Sequence, residues 1–429
     1  MTTTELTKKD QLLDTFKALD FNVEQDYYTN LRKEAVKEID SLDLPTTGTE
    51  YWKYTRLGKI TNKKFNISKG EIQDIKPFLI PTLEANIIVL VNGFYHAESS
   101  KIEQQEGIIV SSLTEAKKNN VAVFQKHFNT YTKKRNELFL GINNAFHTDG
   151  VFIHVDKNAT AKKPFHIINI TTQDHTLTQT RNLFVAEKSG SVQILESFVN
   201  VNGKENFINA VSEMVVGENA QFEYNKLQDK TQDNYSISTE QVYQQANSNF
   251  TINTATLNGA IVRNNLNIEV DASNCETNLS GLYLGQNNDH IDNHTIVDHK
   301  KPHCNSNEVY KGVLDNTSTG VFNGKVFVRQ DAQKTNAFQA NNNILLTDDA
   351  VVNSKPELEI YADDVKCSHG STTGQIDEEA IFYLQSRGVS RKGALNLMIN
   401  AFAKDTLEKI GIPAFKEYID LKIEERFQK

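Results

Sequence analysis

From about residue 161 to residue 374 the chain is a succession of short β-rich runs, and no convincing amphipathic helix interrupts them. HIINITT, NLFVAEKSGSVQILESFV, INAVSEMVVGENAQFEYNKL, NFTINTATL, LNIEVDASNCETNLSGLYL, GVFNGKVFV, ILLTDDAVV and LEIYADDV follow one another across small polar turns. The turn residues Gly190, Asn219, Ser248, Asn274, Ser318 and Asp349 recur mostly at about 25–30 residues, with one gap near 44 that has room for a further turn or an insertion. Asn suits such turns because it tolerates the left-handed conformation and caps its own backbone. A period of this size marks a solenoid, in which each repeat buries its apolar face against the next. A sandwich of hairpins is the rival, because Asn92-Gly93, Asn202-Gly203, Asn258-Gly259 and Asn323-Gly324 are all type I′ turn signals.

Helical patterns flank this region. Leu12, Phe16 and Leu19 within 5–20, and Tyr28, Leu31, Ala35 and Ile39 within 27–40, have helical spacing. Trp52, with Tyr51 and Tyr54, reads as packing of these helices on the body. Residues 60–160 are mixed. IIVLVNGFYH at 87–96 is a buried strand with an Asn-Gly turn, and Asn136–Ala145 fits a short helix. At the other end Asp377 is an N-cap, with Glu378 and Glu379 in the first turn. Ser390 caps a second segment carrying Leu395, Leu397, Met398, Ile399 and Phe402. The expected division is 1–160 helical and mixed, 161–374 solenoid, and 375–429 helical, with the flanking helices capping the solenoid's open ends.

Composition excludes several classes. A net charge of −9 and a pI of about 5.7 argue against nucleic acid as the main partner. The longest apolar run, Ile87–Val91, is far short of the ~20 residues that span a bilayer. Three cysteines are too few and too odd for a disulfide framework, and no secretory signal is visible, so a reducing cytoplasm is expected. GVFNGKV at 320–326 is one residue short of a phosphate loop and lacks its Ser/Thr, so no nucleotide is expected on this chain. A polysaccharide-active β-helix enzyme needs a carboxylate cluster with Arg or Lys on one face, whereas Arg181, Arg263 and Arg329 are dispersed.

Two stretches have metal-ligand chemistry. In YADDVKCSHGSTTG, a strand running through Cys367 and His369 puts thiol and imidazole on one face by its period of two. The plain reading is a small buried Cys beside a surface His; the other is a soft-metal or iron–sulfur ligand pair. In HIDNHTIVDHKKPHC, His290, Asp292 and His294 share a strand face, ahead of Asp298, His299, His303 and Cys304. That run reads as a polar strand face and turn, with Cys304 buried, in preference to a zinc or iron site.

ADDVKCSHG, a small-residue linker and DEEAIFYLQSRG resemble the C-terminal signature of the SufB/SufD family of SUF iron–sulfur cluster assembly scaffolds, on its SufD side. HTIVDHKKPHCNSNEVYKGVLDN at 294–316, the run at 320–350, and TEYWKYTRLG at 49–58 resemble the same family. The resemblance implies a mainly β fold, a right-handed parallel β-helix core with N- and C-terminal helical regions. It implies a non-catalytic scaffold that pairs with the SufB paralogue and docks the SufC ATPase through its C-terminal helices, with a homodimer possible when isolated. The nearest alternative identity is a SufB-type scaffold. A transient iron–sulfur cluster is then expected at the subunit interface, with His369 and Cys367 as candidate ligands. Three well-separated cysteines are too few to hold a four-Cys cluster alone, which agrees with a shared site.

Overall fold

A computed structural model of the chain describes residues 7–17, 27–119, 121–133, 135, 137–201, 203–229 and 233–428. Two ten-stranded sheets form its body. From Arg181 onward consecutive strands alternate between the sheets, and each pairs in parallel with the strand one turn earlier. The first sheet stacks eight parallel strands from Phe165–Thr171 to Lys366–Gln375, so the core is a β-solenoid of about eight turns. The ladders also draw in earlier segments: Asn86–Val91 joins the first sheet and Val151–Val155 the second.

Left-handed residues mark the corners. Ser189, Asn219, Asn247, Asn274, His303 and Lys334 carry positive φ at the corner leading from the second sheet to the first. Asn287 and Asn316 do so at the opposite corner. The gap near 44 therefore holds two turns, at Asn287 and His303, and the expected turns at Ser318 and Asp349 belong to the other corner. The hairpin rival fails for a topological reason. Asn92-Gly93 does close an antiparallel hairpin between Asn86–Val91 and Phe94–Tyr95. Asn258-Gly259 instead links strands of different sheets, and Asn323-Gly324 lies inside the strand Thr319–Val328. Asn202 lies outside the described residues, as does Leu19 of the first helical pattern.

Helices cover the outer faces. Lys8–Lys17, Tyr27–Ser41 and Leu138–Phe146 pack with Trp52 on the second sheet, against Phe207, Tyr235 and Ile261. Trp52 lies 5.5 Å from the Phe139 ring and stacks under the Arg263 guanidinium at 3.8 Å. Arg391–Leu407 and Pro413–Gln428 cover the first sheet, with Ile399, Leu407, Phe415 and Ile419 on Leu227, Leu282 and Val313. Middle strands are therefore wet on neither face, and Phe207–Val216 is buried at every position. No helix among the described residues is long and apolar enough to cross a membrane.

The helices do not cap the solenoid as expected. Their apolar stripes are taken up by the outer sheet faces. The leading end is closed by strands running antiparallel to the ladder, Phe94–Tyr95 on one sheet and Ile108–Ser112 on the other. No strand among the described residues pairs beyond the final rung, Val351–Ile360 with Lys366–Gln375, and nearly every residue of Lys366–Gln375 is exposed.

Candidate functional site

The final rung is where the sequence's Cys-x-His pair falls. Lys366–Gln375 is a strand through both residues, and its register puts Cys367 beside Ala337, His369 beside Gln339 and Ser371 beside Asn341. Ala337, Gln339, Asn341 and Asn343 are the buried, inward positions of Asn336–Leu345. Cys367, His369, Ser371 and Thr373 therefore also face the solenoid axis. They are exposed or half-buried only because no rung follows. From the second sheet, Ser354 faces the same interior, because its hydroxyl donates to Asn341 Oδ1 at 2.8 Å. The Ser371 hydroxyl donates to Ser354 at 2.8 Å and ties the two halves of the rung together.

The two candidate ligands sit in different surroundings. Cys367 packs in a small apolar cluster with Val326, Val328, Ala337 and Leu358, and burial raises its thiol pKa. His369 is exposed, and a Cβ on the neighbouring Gly370 would meet nothing within 4 Å. The strand brings thiol and imidazole to one face. No third ligand joins them, since no group of three or more His, Cys, Asp or Glu able to hold a metal occurs among the described residues.

Beneath His369 the interior column runs Tyr224, Ile252, Leu279, Glu308, Gln339 and then His369, one residue per rung. It is apolar in mid-solenoid apart from the Tyr224 hydroxyl, and polar over the last three positions. The Glu308 carboxylate accepts from Thr295 Oγ1 at 2.6 Å and from Gln339 Nε2 at 2.8 Å. No cation is among its partners, and burial pushes its pKa up to about 7. Sequence reasoning missed Glu308 and Gln339. The available signal was their spacing, 31 residues from Glu308 to Gln339 and one further turn to His369.

The His-rich run forms a structural network. On the outer face of the second sheet Asp292 takes Arg263 at 2.6 Å, His294 at 2.9 Å and the Thr55 hydroxyl at 2.5 Å, and Thr55 also meets His290 at 2.8 Å. With Arg263 stacked on Trp52, the acid is spent on holding the 49–58 element to the solenoid. His299 is buried against Ser306 at 2.9 Å, and Cys304 is buried, as expected. Arg181 is likewise consumed by Glu213 at 2.6 Å, and Arg329 by Asp298 at 2.8 Å. These arginines do not assemble the carboxylate-and-cation cleft of a polysaccharide-active solenoid.

The C-terminal helices split their apolar residues. Ile381 and Ile399 are buried, while Phe382 is 73%, Tyr383 58% and Leu397 54% exposed. Asp377 caps Glu378–Ser386 by accepting from the backbone N–H of Glu379 and Ala380, and Glu378 grips Arg391 through two contacts of 2.7 Å.

Comparison with known proteins agrees with this architecture. Residues 168–402 match the family described as SUF system FeS cluster assembly, SufBD core domain, and residues 7–167 match the SufBD protein N-terminal region. An iron–sulfur cluster assembly SufBD family protein of Synechocystis is 31% identical, over 96% of this chain and 94% of its own length. The iron–sulfur cluster assembly protein SufD of Escherichia coli is 30% identical, over 92% of both chains. The Bacillus subtilis SufD protein is 23% identical, over 92% of this chain and 93% of its own.

Proposed function

The chain belongs to the SufBD family of SUF-system iron–sulfur cluster assembly proteins, and on that footing we propose that it is a non-catalytic, cytoplasmic scaffold whose final rung forms half of a cluster-building interface. The observation that carries this reading is His369, facing the axis of a solenoid whose last rung no further strand among the described residues covers. Both strands of that rung are unpaired edges, and edges of this kind are templates for strand addition. Val351, Ile360 and Tyr361 expose apolar surface beside them. A SufB-type paralogue with a matching open end would pair there, supply a thiolate, and bury His369 and Cys367 between the two chains. Two copies of this chain could pair in the same way when it is isolated. The cluster is cargo, built at the interface and passed on.

The patch of Phe382, Tyr383 and Leu397 is the proposed dock for a SufC-type ATPase, because three large side chains with apolar surface are more than half exposed there. Phe382→Asp with Leu397→Asp should abolish co-purification of the ATPase. Removing all of 377–429 is a poorer test, since it would strip the outer face of the first sheet.

The site itself is tested in the co-expressed complex. His369→Ala is expected to leave an assembled, soluble complex with little iron and sulfide after reconstitution. Cys367→Ser should do less, because that thiol is held among apolar neighbours. Normal cluster yield with His369→Ala would reduce this chain to a structural partner.

A further inference from the structure

A histidine that ligates a metal through one ring nitrogen commonly donates its other N–H to a fixed acceptor, which sets the tautomer and the ring orientation. The rung beneath His369 holds an acceptor of this kind. Gln339 is its in-register neighbour on the adjoining strand, and both point along the solenoid interior, so their backbones are about 5 Å apart. Gln339 is buried, and its amide has a defined direction. Thr295 and the Gln339 Nε2 both donate to the Glu308 carboxylate, which takes up the amide's donor side. The carbonyl oxygen, Oε1, is left buried with no partner among the described residues. A buried acceptor left without a donor is destabilising. Room for the amide comes from Gly324 across the interior, where a Cβ would lie 2.3 Å from Gln339 Nε2. Glycine inside a strand otherwise weakens it, and here it allows this close approach.

We propose that Gln339 is a positioning residue for His369: its side-chain carbonyl accepts one imidazole N–H and so presents the opposite, unprotonated nitrogen at the open end of the solenoid. Glu308 acts one step further back by holding the amide in the required sense. The proposed ligand role of His369 gives this arrangement its purpose; the hydrogen bond is not made in this structure, where Gln339 Oε1 stands unpartnered, and its proposed formation needs neither cluster nor partner.

The experiment is long-range 1H–15N NMR on the full chain, alone, labelled in histidine. It is run at pH 8.5, where imidazoles are neutral and Glu308 has lost its proton. His369 is assigned by its absence in His369→Ala. A hydrogen bond of ordinary net strength shifts the tautomer ratio by roughly fivefold. Gln339→Met keeps the volume and removes the acceptor, and should collapse that bias to the mixture of a free histidine. Glu308→Gln is isosteric but can donate as well as accept, so it should relax the bias too. If either variant does not fold, the other decides. An unchanged tautomer ratio in the variants, or no bias in the parent chain, overturns the proposal. Normal cluster yield with His369→Ala would instead remove the ligand role and leave the positioning result standing.

Discussion

The two ends of this solenoid are built on opposite principles. At the leading end, antiparallel strands close both sheets, and Ile88, Leu90, Val151 and Ile153 form a dry core with Phe165 and Ile167. At the trailing end the interior changes character before the ladder stops. The column that is Ile252 and Leu279 in mid-solenoid becomes Glu308, Gln339 and His369, and burial fades from complete in Phe207–Val216 to almost none in Lys366–Gln375. A chain that only needed stability would cover this end or blunt its edges. Two apolar-flanked edges and an axial imidazole stay uncovered here among the described residues, and these are the features the proposed interface would use.

The sharpest way to break this contrast is to remove matched apolar bulk at both ends. Leu90→Ala, in the closed end, should cost about 2–5 kcal/mol in denaturant unfolding, because the cavity cannot collapse. Ile360→Ala, 41% exposed in the parent, should cost well under half of that in the isolated chain. Equal losses would mean that the final rung is as integral to the fold as the first.

The polar turn of the column can be sharpened by pH. The Glu308 carboxyl is raised from 4.5 to about 7, so between these values the folded chain keeps a proton that the unfolded chain has released. Its contribution is therefore present at acid pH and lost as pH rises through that window, on the order of 3 kcal/mol by linkage. Stability measured from pH 4.5 to 8 should show a smaller fall, or a larger rise, in Glu308→Gln than in the parent. Identical slopes would show that the site is more hydrated than its burial indicates. Buried neutral histidines oppose this trend: His127 and His299 are lowered to about 4 by burial, which weakens the fold as pH falls below 6.5. The difference between the two proteins isolates Glu308.

Smaller effects belong to the rim. Val351→Lys with Ile360→Lys should change the isolated chain's unfolding midpoint little while weakening pairing with a paralogue in pull-down, since both side chains are half-exposed. Loss of folding would assign those side chains to the core. Least of all should follow from Asp364→Asn at the final corner, whose contact with Lys334 is exposed on both sides. Exposed pairs contribute little, and no measurable shift is expected.

Much of the local plan was legible. Strand and turn alternation, Asn at the corners, the Asp377 and Ser390 caps, and a strand through Cys367 and His369 all follow from residue type and spacing. The inward phase of the middle strands was not, because helices cover their outer faces and the period-two alternation vanishes where both faces are dry. The same effect hid the Arg263–Asp292 and Arg181–Glu213 pairs, which look like surface charges in sequence and lie buried beneath the N-terminal elements. Asn258-Gly259 and Asn323-Gly324 misled because a turn propensity is local, whereas Gly324 answers to the bulk of Gln339 in another strand.

By itself, then, the sequence determined which segments are strands, where the chain turns, and that thiol and imidazole share a side of the last strand. Those properties depend on neighbours within a few residues. Only the tertiary structure decided that this side is the interior, that no further strand among the described residues covers it, and that Glu308, Gln339 and His369 stand one above another. Contacts across about thirty residues depend on register, which the stacked rungs set together and which no single segment specifies.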